Sequence, residues 1–232
     1  MTKVISALQT KGGAGKSSTI RMLAAQLAHM GNTVVIVDTD PQRSCIRWLE
    51  IASQKNNKIE RVAAKEIYQL SDVEPFISSL MGKVDYILCD VQGAAVNMML
   101  PICKVSDLIL LPWSPTEDDW YSLIDTYNII KNIMENDPSV KPAIALSLNR
   151  ITATDMHHSF VKNRAKAAEK LGVINIETMI WKRQATANML RKLGSIPQMT
   201  SNVSGILKAQ EEHELFANEI INVLAKLDGK VS

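Results

Sequence analysis

The stretch Gln9-Thr10-Lys11-Gly12-Gly13-Ala14-Gly15-Lys16-Ser17-Ser18 constrains this chain more than any other. It follows a short apolar run (Val4, Ile5, Ala7, Leu8) and precedes a strongly helical segment. Read from Thr10, it matches the phosphate-loop pattern G-x-x-x-x-G-K-[ST] with threonine in place of the first glycine. Glycines let main-chain N–H groups turn inward and close on phosphate oxygens, where a Cβ would obstruct them. Lys16 is then placed to reach the β- and γ-phosphates and Ser17 to ligate Mg²⁺, with the positive end of the next helix aimed at the anion. A glycine-rich turn with two lysines on its rim is the plain alternative. The strand before and the helix after argue against it, and for a nucleoside triphosphate.

The remaining apolar runs say what carries the loop. Short, nearly unbroken runs recur at 4–8, 34–37, 86–89, 108–111 and 143–148. Strands apolar on both faces belong to sheets covered on both sides, which are usually parallel. Between them lie helical patterns: a stripe of Ile20, Leu23, Ala24 and Leu27 closed by Gly31, then segments 43–53, 73–81, 117–134 and 157–171. The alternation predicts a doubly wound α/β fold, mostly parallel and flanked by helices, with ligands at the C-terminal ends of the strands. A length of 232 residues with 46% hydrophobic content suits one domain spanning 1–232. Cys45, Cys89 and Cys103 show no metal-ligand spacing and read as reduced cytosolic thiols. No apolar run approaches the length of a membrane span, and no signal peptide is visible.

Two strand ends carry carboxylates. Val37-Asp38-Thr39-Asp40-Pro41-Gln42 places two acids two residues apart, facing one way if the segment is extended. Alone, such a sequence is a turn with a polar start; after a phosphate loop it can serve Mg²⁺ and an attacking water. Ile87-Leu88-Cys89-Asp90 ends in an aspartate suited to hold Mg²⁺ through its water shell. A capping or solvent-facing aspartate is the alternative there. Asp85, before the run, reads as a turn residue.

Together these pieces resemble the ParA/MinD ATPases. Lys11-Gly12-Gly13-Ala14-Gly15-Lys16-Ser17 is similar to their deviant Walker A motif, marked by an extra early lysine. Asp38-x-Asp40-Pro41-Gln42 resembles their second motif and Asp90 their Walker B aspartate, while Ser106–Pro112 and Leu148-Asn149-Arg150 resemble later strand segments. The resemblance implies a P-loop NTPase fold and a nucleotide-sandwich homodimer formed on ATP. In that scheme Lys11 crosses to the partner's phosphates, much as an arginine finger does. Lys16 serves the phosphates of its own subunit, within a seat formed by Gly12, Gly13, Ala14, Gly15, Ser17 and Ser18. Asp40 orients the hydrolytic water, Ser17, Asp38 and Asp90 organise Mg²⁺, and Asn149 reads the adenine edge. Gln92-Gly93 after Asp90 departs from the usual pattern.

Members of this group differ in what they stand on. Residues 150–192 hold nine basic side chains against three acidic ones, or +6, leaving −4 for the rest of a chain whose net charge is +2. Such segregation suggests an electrostatic footprint for non-specific DNA, with Lys182, Arg183, Arg191 and Lys192 as first candidates; solvated helix faces are the alternative. The last helix places Phe216, Ile220, Val223, Leu224 and Leu227 on one stripe. Its polar face carries Glu211, Glu212, Glu214 and Glu219, with Lys226 the only base in 211–227. Anionic lipid would repel that face, so packing against the core is expected rather than membrane binding. His157-His158 reads as an ordinary surface pair on a helix. Cluster-ligating cysteines, a C-terminal tyrosine cluster and a helix-turn-helix ahead of the loop are not found, which resembles the small partition ATPases. These rely on a separate centromere-binding adaptor, and the resemblance implies a cytoplasmic, nucleoid-associated switch that segregates a plasmid or chromosome. A positioning adaptor for a protein complex, such as conjugation or secretion machinery, that does not use DNA as its track is the other reading.

Overall fold

The computed structural model describes residues 1–93, 95–188, 194–199 and 204–229. The five apolar runs become strands β1 (Lys3–Ala7), β2 (Val34–Asp38), β4 (Tyr86–Asp90), β5 (Leu108–Trp113) and β6 (Ala143–Ile151). They are joined by β3 (Val62–Glu66) and the two-residue β7 (Ile174–Asn175) and β8 (Ile180–Trp181). The order is β3-β2-β4-β1-β5-β6-β7, with β8 also on β6, and every pairing is parallel.

Alternation along each strand divides the core in two. Ile5, Ala7, Leu88, Leu108 and Leu110 face one layer, shared with α1 (Lys16–His29) and α8 (Ile206–Leu227). Val4, Leu8, Ile87, Cys89, Ile109 and Leu111 face the other, shared with α4 (Val96–Val105) and α5 (Glu117–Asn136). Because both faces are covered, the strands read as continuous apolar runs. The sheet edge behaves otherwise: in β3 only Val62, Ala64 and Glu66 are half-buried, while Ala63 and Lys65 are exposed, so no run announced it. Among the described residues the remaining α-helices are α2 (Ser44–Gln54), α3 (Leu70–Leu80), α6 (Ser159–Leu171) and α7 (Gln184–Asn188).

The predicted stops hold where chemistry enforces them. Gly31 takes φ +93° just past α1, a left-handed conformation that ends the helix. Asp85 is a turn residue, its Oδ2 accepting from the Thr33 N–H and hydroxyl at 2.7 Å each. Segment 157–171 differs from expectation. Residues 153–157 form a 3-10 turn closed by a Thr152–Asp155 capping box, so α6 begins only at Ser159. His158 is its N-cap, stacked on Phe160 with ring centroids 5.0 Å apart, so the histidine pair joins the end of the 3-10 turn to the cap of α6 rather than lying on one α-helix. In α8, Phe216, Ile220 and Leu224 are buried in the core. Among the described residues no helix is long and apolar enough to cross a membrane.

The chain leaves β1 to one side through β2 and β3. It returns to β4 and then crosses β1 to β5, so the connections reverse direction around β1. At such a switch point the strand ends leave a crevice. Ala7, Asp38 and Asp90 are register partners there, on three adjacent strand ends.

Candidate active site

The loop after β1 takes the shape its glycines permit. Gly13 and Gly15 sit at φ +80° and +103°, which L side chains rarely adopt. A Cβ at Gly12 or Gly13 would meet no protein atom within 4 Å, so both border open space where an anion can approach the backbone. Gly15 is the N-cap of α1, and a Cβ there would come within 3.2 Å of Asn149 Nδ2.

The two lysines of the loop have different surroundings. Lys16 is buried and donates to the carbonyls of Gln9 at 2.9 Å and Lys11 at 3.1 Å. Burial lowers its pKa, partly offset by the charges of Asp90 and Asp40. Lys11 is half-exposed and pairs with Asp119 Oδ1 at 2.5 Å, a hydrogen bond that raises its pKa. Sequence reasoning missed Asp119, which reads as one of three acids in the first turn of a helix.

Asp38 and Asp90 are both buried. Asp38 Oδ2 accepts from the N–H groups of Cys45 at 3.0 Å and Ile46 at 3.4 Å, and Oδ1 from that of Asp40 at 3.1 Å. The carboxylate thus closes the N-terminus of α2. Burial raises its pKa against those amides. Burial also pushes Asp90 up to about 6, against a hydrogen bond from Ser17 and with the Asp38 charge adding to the rise. Cys45 Sγ donates to Asp90 Oδ2 at 3.3 Å, and burial holds that thiol protonated. Ligand atoms of Asp38, Cys45 and Asp90 lie within 4.8 Å of one another. Two buried carboxylates and the Ser17 hydroxyl are the hard oxygen donors Mg²⁺ takes, and a cation would relieve the charge that burial disfavours. Asp40 stands apart. The strand stops at Asp38, so the two-residue alternation does not reach Asp40, which accepts from Gln42 N–H at 2.9 Å in the following turn.

Gly93 is a residue whose role the sequence flagged without explaining. A Cβ there would lie 2.8 Å from Thr10 O and 2.9 Å from Lys16 Nζ. The segment after Asp90 therefore passes against the phosphate loop with no room for a side chain.

A cavity of about 450 Å³ opens beside Gly15, walled by Thr19, Asn149, Trp181, Lys182 and Arg183. Asn149 Nδ2 donates to Thr19 Oγ1 at 2.8 Å and its Oδ1 accepts from Ser147 at 3.1 Å, so it is held facing the start of α1. Arg183 lies over the Trp181 ring and pairs with Glu212 at 2.8 Å. Lys182 and Arg183 thus lie on the wall of this cavity, while Arg191 and Lys192 fall outside the described residues. The acids of α8 explain the wall: Glu212 accepts from the Trp181 N–H at 2.8 Å, and Glu219 from those of Glu177 and Thr178 at 2.7 and 2.9 Å.

A family model described as VirC1 protein matches residues 2–227. The chain belongs to the VirC1 protein family. Its similarity extends to a protein named ParA and to solved structures of the ParA/MinD type, as its loop suggests. Protein ParA of Rhizobium radiobacter is 28% identical over 230 residues, 96% of this chain and 98% of that one. The septum site-determining protein MinD of Pyrococcus horikoshii OT3, solved with Mg-ADP, superposes with TM-score 0.67 at 19% identity, over 98% of this chain and 99% of that one. A ParA of pNOB8 bound to nonspecific DNA gives TM-score 0.60 at 15% identity, over 100% of both. At these identities the two solved structures speak for the fold of this VirC1-family chain alone.

Proposed function

We propose that the chain is an Mg²⁺-dependent ATPase that dimerises on ATP, binds DNA without sequence preference and segregates a replicon with a centromere-binding adaptor. The observation that carries this reading is the seat at the switch point: Lys16 buried against an open glycine loop, beside the Asp38–Asp90 pair. Mg²⁺ bound by Ser17, Asp38 and Asp90 would supply positive charge at the phosphate oxygens. The chain's own groups do the rest. Lys16 and the loop N–H groups of residues 12–18 hold the phosphates, Asp40 orients the attacking water, and the Asn149 cavity takes the base. Lys11 reaches the partner's phosphates, so each site is complete only in the dimer and hydrolysis dissolves it.

For DNA, the support comes from α6 more than from Arg183. Lys162, Lys166 and Lys170 are exposed at four-residue spacing on that helix. Contacts to phosphate of this kind weaken steeply with salt. The pairing of Arg183 with Glu212 favours, to that extent, the second reading: a positioning adaptor whose dimer recruits a protein complex without a DNA track.

Sedimentation of wild type and Lys11→Ala with ADP, ATP and a non-hydrolysable analogue tests the switch, and the same runs with nonspecific duplex test the track. Wild type should dimerise only with triphosphate, and Lys11→Ala should bind nucleotide yet stay monomeric. Oligomeric state indifferent to nucleotide would overturn the switch. Absence of DNA co-sedimentation at low salt would leave the adaptor reading.

A further inference from the structure

Helix α5 turns three polar side chains toward the loop, Asp119, Ser122 and Thr126, spaced so that they share one face. Thr126 Oγ1 accepts from the Thr10 N–H at 3.0 Å and donates to Gln9 Oε1 at 2.8 Å. Ser122 Oγ donates to the same Gln9 oxygen at 2.9 Å and meets the Thr10 hydroxyl at 2.9 Å. Asp119 completes the stripe at Lys11. Its other oxygen accepts from the Ser114 N–H at 3.0 Å, so the carboxylate is gripped from two directions. The helix end is fixed as well: Thr116 caps it, and Trp120 packs on Trp113 and Phe160 at centroid distances of 5.3 and 6.0 Å. Asp119 is buried and anchored; Lys11 is half-exposed on a flexible stem. Of the two, the lysine is the one free to move.

We propose that Asp119 is a positioning residue that holds Lys11 inside its own subunit until a triphosphate competes for it, and so sets the threshold for dimerisation. This rests on the sandwich-dimer reading above. Lys11 can reach a partner's phosphates only by leaving the Asp119 carboxylate, so one charge-assisted hydrogen bond is exchanged for another. The exchange becomes more favourable as the negative charge presented to Lys11 by the incoming phosphates grows, with the carboxylate setting what must be exceeded. A triphosphate exceeds a diphosphate in this respect. The pair therefore sharpens discrimination between ATP and ADP at the step of association, while the phosphate seat binds both.

The test is a sedimentation series over protein concentration with ADP or a non-hydrolysable ATP analogue, for wild type, Asp119→Asn, Asp119→Glu and Ser122→Ala. Asp119→Asn keeps an acceptor for Ser114 but loses the charge. It should dimerise at about three- to tenfold lower protein concentration with the analogue, and should begin to dimerise with ADP. Asp119→Glu and Ser122→Ala should keep the wild-type threshold. Nucleotide affinity compared between Lys11→Ala and the Lys11→Ala/Asp119→Asn double variant should agree within about twofold, since no pair is left to break. An Asp119→Asn variant that melts like wild type yet dimerises at the same or higher concentration overturns the proposal. Should that variant not fold, amine acylation of the nucleotide-free wild type decides: Lys11 should label more slowly than the exposed Lys162, and equal or faster labelling overturns the pair itself. Wild type that dimerises on triphosphate beside an unaltered Asp119→Asn removes this inference alone. Failure of both to dimerise removes the dimer reading with it.

Discussion

The phosphate seat and the rim around Lys11 lie within a few residues of each other and are built on opposite principles. The seat buries its charges: Lys16, Asp38 and Asp90 are all withdrawn from water, and burial shifts each toward its neutral form. The rim neutralises its charge by pairing, and the Lys11–Asp119 bond strengthens the charged form of the lysine. Under the proposed function, the buried set of charges takes up a ligand and the paired, half-exposed one yields to a competitor. The contrast teaches that two lysines five positions apart in one glycine loop are shifted in opposite directions because their neighbours differ.

Substitution of each lysine is the strongest way to break this comparison. Lys16→Ala should cost roughly 2–5 kcal/mol of nucleotide affinity, as loss of a buried charge partner does. Lys11→Ala should change monomer affinity by less than about threefold, and calorimetric titration with ADP reads both. Similar losses in the two variants would erase the distinction between seat and rim.

The pH dependence of stability tests the seat without nucleotide. Below about pH 4 Asp90 is protonated both folded and unfolded. Between there and its folded value of about 6 only the folded state keeps the proton. Above that value the folded protein carries a buried charge that the unfolded chain bears freely in water. Stability of the Mg²⁺-free protein should therefore fall by up to about 3 kcal/mol as pH rises from 4 to 7, and Asp90→Asn should flatten that slope. Urea unfolding at several pH values measures it, and an equal slope in the variant would show that another group is responsible.

Gly93→Ala should cost about 1–3 kcal/mol of stability by overpacking against Thr10 O, which is backbone and cannot step aside. Nucleotide affinity should drop with it. At the far end of the scale, Lys58→Ala removes an ion pair with Glu60 in which both side chains are mostly exposed. Thermal denaturation should register less than about 0.5 kcal/mol, which sets the background against which the paired rim is judged.

Legibility followed the distance between partners. The glycine loop, the Asp38 motif and Asp90 are contiguous signals on strand ends, and the structure brings them together at one crevice. Gly93 touches Thr10 and Lys16 across a separation that no local pattern encodes. Asp119 sits beside Glu117 and Asp118 in the first turn of a helix, where acids are expected for helix stability alone. Strand β3 was silent because an edge strand needs no apolar run. The glutamates of α8 were read as a face that lipid would repel, and two of them turn out to be acceptors for backbone amides rather than solvated charge.

Those glutamates tie together parts of one pocket that lie far apart in the chain. Trp181 and Arg183, which wall the cavity beside Gly15, are held by Glu212, and the backbone just before them by Glu219. The phosphate loop lies at residues 9–18, whereas the cavity wall beside it is braced from Glu212 and Glu219, in the last helix described. Truncation ahead of Glu212 would therefore remove the brace of the cavity wall and leave the sequence of the loop untouched.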